Sequence, residues 1–252
     1  LLDGNAGLSL YHYLLYRYTN DETYKQRADS LIDQVCDTSH VLIQNDRLSF
    51  ERGLSGVSWV IMFLAQLCYI DSEIDETIRE IDDYIFKRLA NKSTEELSKI
   101  SMLLLGILIY LTCSIRFNRG RDREATALKI SLTRDLVNFI DKQHVDDGYA
   151  QITKEPTIFS LTDYRLPLYL YIIAELYQAN IYTEKLDRII EGMIPIIQRS
   201  FPALYSNRIY LLVALYHLTH VKCVPAWDAH IKALEQNIDF ERMFKSEFRD
   251  RS

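Results

Sequence analysis

The apolar positions of this chain fall into long blocks of two kinds, and the two kinds alternate. The block "GLSLYHYLLYRY" (7–18) is apolar around most of a helix, whereas "ETYKQRADSLIDQVC" (22–36) places Tyr24, Ala28, Leu31, Ile32 and Val35 on one side only. The next pair repeats this. "GVSWVIMFLAQLCYI" (56–70) is apolar all round, and "SEIDETIREIDDYIFKRLAN" (72–91) sets Ile74, Ile78, Ile81, Ile85 and Leu89 on one stripe with acids opposite. Downstream, "MLLLGILIYLTCSI" precedes "REATALKISLTRDLVNFIDK", "PLYLYIIAELYQANI" precedes "EKLDRIIEGMIPIIQRSF", and "RIYLLVALYHLTHV" precedes "AWDAHIKALEQNI". The pattern predicts five helix pairs.

A helix that is apolar all round must be covered on every side, while a one-sided helix can face water. Alternation therefore predicts an all-α, two-layer α/α toroid of about five helical hairpins, closed or as an open arc, with apolar helices inside and amphipathic helices outside. A TPR- or HEAT-like solenoid would make both helices of a pair similarly amphipathic, which this series does not. We expect one domain over residues 1–252. In a toroid the inner helices run the same way, so the segments preceding them share one mouth. Those segments are long, at 37–53 and 144–167, and long loops in compact domains are the usual carriers of function. Within the first, "VLIQNDRLSF" (41–50) reads as a hairpin turning at Asn45-Asp46.

The repeat extends to the entrances of the apolar helices. Aligning Gly4 with Gly53 also aligns Gly7 with Gly56, Ser9 with Ser58 and Leu15 with Leu64. Glycines at that place suit close approach of neighbouring helices, and no lysine follows as a phosphate loop requires.

Composition narrows the chemistry. Only 8 Gly and 5 Pro among 252 residues favour long regular elements, and a net charge of −6 gives no general attraction for nucleic acid. The one basic cluster, "RFNRGRDRE" (116–124), is broken by Asp122 and Glu124 and reads as a solvated loop. Cys36, Cys68, Cys113 and Cys223 lie far apart without C-x-x-C spacing, so buried reduced thiols and a cytoplasmic location are expected. The most apolar run, 100–115, is shorter than the roughly 20 residues of a membrane span. The first residue is Leu1 rather than Met, and an upstream segment is expected to have been removed or left out.

"DGNAGLSLYHY" from Asp3 and "ERGLSGVSWVI" from Glu51, each followed by an amphipathic helix, resemble the repeats of the lanthionine synthetase C-like family. The resemblance implies an α/α toroid that binds a peptide and adds a zinc-activated cysteine thiolate to a dehydroamino acid. It also implies zinc held by a lone Cys and an adjacent Cys-His pair, and more hairpins than five. This sequence has no Cys-His dipeptide; Cys223 has only His217 and His220 upstream, and two donors do not make a zinc site. No metal or cofactor is expected, and the catalytic residues are unknown.

What carries over is the fold and binding of a peptide or small molecule at the mouth, within a peptide-modification pathway. The expected mouth residues are Asp3, Asn5, Arg52, Ser55, Asp163, Arg165, Asn207 and Arg208, whose chemistry suits recognition of carboxylates and peptide backbone. An alternative is a carbohydrate-active toroid enzyme pairing Asp163 with Asp147 or Asp3, with Glu51 and Asp146 as further mouth acids. His12 and His217, in the first and last apolar helices, read as hydrogen-bonded core residues, and Trp59 and Trp227 as the only indoles available to stack on a sugar. A protein partner is a third possibility; nucleic acid and membrane are not expected partners.

Overall fold

The helices form where the apolar periodicity places them, and they end where the chain supplies a left-handed residue, a proline or a polar turn. A computed structural model describes residues 4–44, 48–70, 75–89, 92–118, 122–160, 163–243, 245 and 250. In chain order the helices are α1 (Asn5–Thr19), α2 (Glu22–Gln44), α3 (Leu54–Gln66), α4 (Asp75–Leu89), the short α5 (Thr94–Lys99), α6 (Ser101–Asn118) and α7 (Arg123–Asp146). There follow the one-turn α8 (Ala150–Thr153), α9 (Arg165–Gln178), α10 (Thr183–Arg199), α11 (Tyr205–Val221), α12 (Asp228–Gln236) and α13 (Phe240–Met243). The five predicted pairs are α1/α2, α3/α4, α6/α7, α9/α10 and α11/α12. Among the described residues there is no strand.

The hairpin expected at 41–50 is not formed as such. Its first arm, Val41 to Gln44, is the last turn of α2, and Asn45-Asp46 lies outside the described residues. Four apolar-rich residues carry no decisive period, and the helix already running from Glu22 extends through them.

The chain divides into two compact units, Leu1–Thr133 and Arg134–Ser252, with the division inside α7. In the first unit α1 packs on α2 and α3, and α3 packs on α6. From Leu54 to Leu64 nearly every residue of α3 is buried, as the all-round apolar pattern requires. The amphipathic α4 buries Ile78, Ile81, Ile85 and Leu89 and leaves Arg79, Glu80, Asp83 and Lys87 exposed. α1 departs from expectation. Its partners cover Ala6, Ser9 and Tyr13, but Leu8, Tyr11, Leu14 and Tyr18 stand exposed, Tyr18 at 90%. In the second unit α9 packs on α11 and on α10, and α11 packs on α12.

The repeated glycines have a local explanation. Gly4 and Gly53 are the N-caps of α1 and α3, both with extended backbone, and their carbonyls accept from Leu8 and Val57 at 3.0 and 3.2 Å. Crowding is not the reason at Gly4, because a Cβ there would meet nothing within 4 Å. It is the reason at Gly106 of α6, where a Cβ would stand 2.5 Å from Cβ of Phe50. Other expectations need correction. Cys36, Cys68 and Cys223 are exposed and Cys113 is half-buried, so the thiols are not core residues. Trp227 sits in the 3-10 turn Pro225–Trp227 ahead of α12 and is fully buried, which removes it as a stacking platform.

A buried polar network ties three helices of the first unit. Nζ of Lys129, on α7 and 1% exposed, lies 2.5 Å from Oδ2 of Asp82 on α4 and donates to Oγ of Ser114 on α6 at 2.6 Å. The hydroxyl of Tyr110, also on α6, donates to the other oxygen of Asp82. Burial pushes the Asp82 carboxyl up, with Lys129 pulling the other way. Every polar member of the network is engaged, so it reads as a structural pin.

Candidate functional site

The second unit holds a cavity of about 350 Å³ lined by Gly148, Thr153, Glu155, Tyr164, Ile196, Arg199, Ser200, Phe201 and Pro202. The lining comes from the segments that lead into α9 and α11 and from the last turn of α10. That is the helix-entry end at which the sequence directs the search. A cavity of this size holds one or two side chains rather than a folded partner.

Glu155 organises one wall. Its Oε2 accepts the Ala203 N–H at 2.8 Å, and its Oε1 accepts the Leu204 N–H at 3.0 Å and Nδ2 of Asn207 at 3.0 Å. A carboxylate belongs here because the first turn of α11 presents amides without intrahelical partners at the positive end of the helix dipole. A second carboxylate serves the same turn. Asp250 accepts the Ser206 N–H at 3.0 Å and the Ser206 hydroxyl. With its amide nitrogen turned to Glu155, Asn207 leaves Oδ1 buried without a partner; the flipped amide would set oxygen against carboxylate.

The rest of the lining includes cationic and aromatic side chains. Arg199 and Phe201 are exposed, and Tyr164 is buried with its hydroxyl pushed well above the ordinary value by burial and by Glu155. Tyr210, pushed up to about 12 by burial, has its ring 6.5 Å from that of Tyr164 and 6.3 Å from that of Phe159. Ile158 and Phe159, on the segment leading from Glu155 toward Tyr164, are both exposed. The Ser200 carbonyl is engaged by Nε2 of His230 at 3.0 Å.

The expected mouth residues divide between the units. In the first, Asn5 is exposed and donates to Gln34 at 3.0 Å, and Arg52 is exposed with its N–H on Ser49 Oγ at 3.2 Å. Ser55 is buried, donating to the Leu48 carbonyl at 2.6 Å, and so is turned into the core. Asp3 lies outside the described residues. In the second, Asp163 is exposed, and Arg165 is half-buried with its pKa lowered by burial against the opposing pull of Asp163 and Asp147. Asn207 and Arg208 are buried. Arg208 lies against the Phe201 and Tyr205 rings, with centroids 4.8 and 5.2 Å from its guanidinium carbon, and donates to the Pro202 and Asn237 carbonyls at 2.6 Å each. It braces α11 and is not presented to a ligand.

His217 is half-buried, 2.7 Å from Glu175 and stacked on Tyr171. His12 stacks on Tyr24, with its Nδ1 buried and unpartnered. The sequence reading missed Glu155, Tyr164, Arg199 and Phe201. Glu155 sits in "TKEPTIFS", an acid before a proline in a loop, and nothing in that stretch signals a helix cap 48 residues away.

Helix pairs whose apolar members pack on one another and whose amphipathic members turn a charged face to water define a helical-hairpin repeat protein of the α/α kind. The profile of the family described as lanthionine synthetase C-like protein matches residues 1–145, more than half of the chain. The chain belongs to this family, whose fold is an α/α toroid. No curated protein and no solved structure matches it. The cavity of the second unit lies beyond the matched residues.

The zinc of the family's cyclases does not fit the residues described. Tetrahedral zinc needs three or four donors, and among the described residues no three His, Cys, Asp or Glu side chains gather as such a site would. Among the described residues no helix is long and apolar enough to cross a membrane.

Proposed function

We propose that this chain is a peptide-binding, non-zinc accessory component of a peptide-modification pathway, and that the cavity beside Glu155 seats part of the peptide. The observation that carries the reading is the composition of one cavity wall to wall: an exposed guanidinium at Arg199, an exposed ring at Phe201, a buried tyrosine hydroxyl at Tyr164 and a carboxylate at Glu155. Arg199 suits a peptide carboxylate or main-chain carbonyl, and Phe201 with the exposed Ile158 and Phe159 suits an apolar side chain. Family membership supports a peptide as the ligand class. We place this activity in the cytoplasm, where the exposed Cys36, Cys68 and Cys223 stay reduced.

The test is a synthetic peptide array probed with the full chain, the best peptide then titrated calorimetrically. Arg199→Ala and Phe201→Ala should each weaken binding by about tenfold, the effect of losing one anchor side chain. Binding that neither substitution alters would remove the cavity from the reading. Metal analysis of the purified protein tests the other half: the expectation is far less than one zinc per chain, and stoichiometric zinc would overturn the non-zinc reading.

A further inference from the structure

Two ring pairs join α9 to α11 in one register. Tyr164, at the entrance of α9, has its ring centre 6.5 Å from that of Tyr210 on α11, and Tyr171 of α9 stacks on His217 of α11 at 4.8 Å with the planes 20° apart. Both partners advance by seven residues from the first pair to the second. The two helices therefore run in the same direction, and the second pair lies two turns beyond the first, about 10 Å along them. Tyr164 lines the cavity, and Phe159, 42% exposed, meets Tyr210 edge to face at 6.3 Å, so the first pair opens on that cavity. At the far end Glu175, one turn beyond Tyr171, holds the His217 ring through Nε2 at 2.7 Å. Tyr210, Tyr171 and His217 are half-buried, and Val213, in the turn of α11 between the pairs, is 58% exposed. A strip of rings thus leads from the cavity and stays open to solvent at both pairs and between them.

The spacing selects the backbone conformation of what lies on it. In a β-strand, side chains on one face recur at about 7 Å and again at about 13 Å, and neither matches 10 Å. In a polyproline II helix they recur at every third residue, about 9 Å apart, which does match. An α-helical ligand sets an anchor at every turn, whereas these rings recur at every second turn. The chemistry agrees, because aromatic-lined grooves take proline-rich chains whose conformation is already restricted before binding. Charge sets the direction: the exposed Arg199 guanidinium at the cavity end is complementary to a carboxylate on the ligand.

We infer that this strip binds a proline-rich peptide segment in the polyproline II conformation, with residues three apart seated at the levels of Tyr210 and His217 and a carboxylate on Arg199. The inference rests on the cavity as a peptide seat, and adds the sequence class and conformation of the peptide.

Fluorescence polarisation with the full chain tests it, using three labelled peptides of about fifteen residues, five polyproline II turns, each ending in Asp: an Ala-Pro-Pro repeat, a flexible Gly-Gly-Ser repeat and a helix-forming Glu-Ala-Ala-Ala-Lys repeat. The Ala-Pro-Pro peptide should bind at least about tenfold tighter than either of the others, and Tyr171→Ala and Val213→Glu should each weaken it about tenfold. Because Val213 is exposed, its replacement leaves the core packing in place and separates loss of the strip from loss of the fold. A flexible or helical peptide that binds as tightly, or Ala-Pro-Pro binding that survives both substitutions, would overturn the proposal. So would failure of all three to bind while an array-selected peptide still binds and still loses affinity in Arg199→Ala, a result that leaves the cavity as a peptide seat without the strip.

Discussion

Replacing Glu155 tests whether the cavity wall and the α11 entrance are one structure. In Glu155→Ala three donors lose their acceptor: the Ala203 N–H, the Leu204 N–H and Nδ2 of Asn207. Ala203 is exposed, so water replaces the carboxylate there at little cost, but Leu204 and Asn207 are buried. Two orphaned buried donors cost about 1 to 3 kcal/mol each, and loss of a charge from a helix N-terminus adds up to about 1 kcal/mol. Asp250 remains on the same turn and Glu155 is itself half-buried, so the lower half of that range applies: about 3 kcal/mol in total. Glu155→Gln keeps one acceptor oxygen and should cost about half as much. Urea unfolding followed at 222 nm gives the stability change, and amide exchange at Ala203 to Asn207 shows whether it is local. A loss in Glu155→Ala below about 1 kcal/mol, or exchange at these amides no faster than in the wild type, would refute the capping argument.

Lys129→Met should cost about 3 to 5 kcal/mol by leaving Asp82 buried without its cation, while Lys129→Met with Asp82→Leu should regain most of it; a single variant within about 1 kcal/mol of wild type in urea unfolding would show that the network is not a pin. His144, whose pKa burial lowers from 6.5 to about 4 against the opposing Asp147 and Asp141, stays neutral in the fold where the unfolded chain takes up a proton. The folded pKa is depressed, so this contribution is whole above pH 6.5 and is lost as pH falls toward 4. Between pH 7.5 and pH 5 it amounts to about 2 kcal/mol, and His144→Phe should flatten the urea midpoint against pH by that much; an unchanged slope would contradict it. Gly106→Ala should lower stability by about 1 to 3 kcal/mol, because Cβ of Phe50 is fixed to its backbone and cannot swing away, and this outweighs the roughly 1 kcal/mol gained in helix propensity. A Gly106→Ala chain that melts at or above the wild-type temperature would show that Phe50 yields.

The five helix pairs were legible in the sequence because burial writes its period directly into a chain: α3 had to be covered all round, and α4 only along Ile78, Ile81, Ile85 and Leu89. The same reasoning located function at the entrances of the apolar helices, since loop length is also a property of the sequence. Individual side chains could not be assigned that way. Ser55 and Arg208 look like polar residues at a mouth, yet each meets its hydrogen-bond demand inside, on the carbonyls of Leu48, Pro202 and Asn237. Whether a polar group faces a ligand or a carbonyl depends on what the fold brings against it.

Glu155 shows the same limit from the other side. Its partners Ala203, Leu204 and Asn207 follow it by 48 to 52 residues, a distance at which no local pattern connects an acid to a helix end. The sequence by itself determined the five long helix pairs and the family, because these rest on short-range periodicity and a repeated glycine entrance. Only the tertiary structure decided which carboxylate caps α11, that Arg208 is a brace, and that the His144 and Tyr169 rings pack edge to face, because partners are chosen by distance in space and not along the chain.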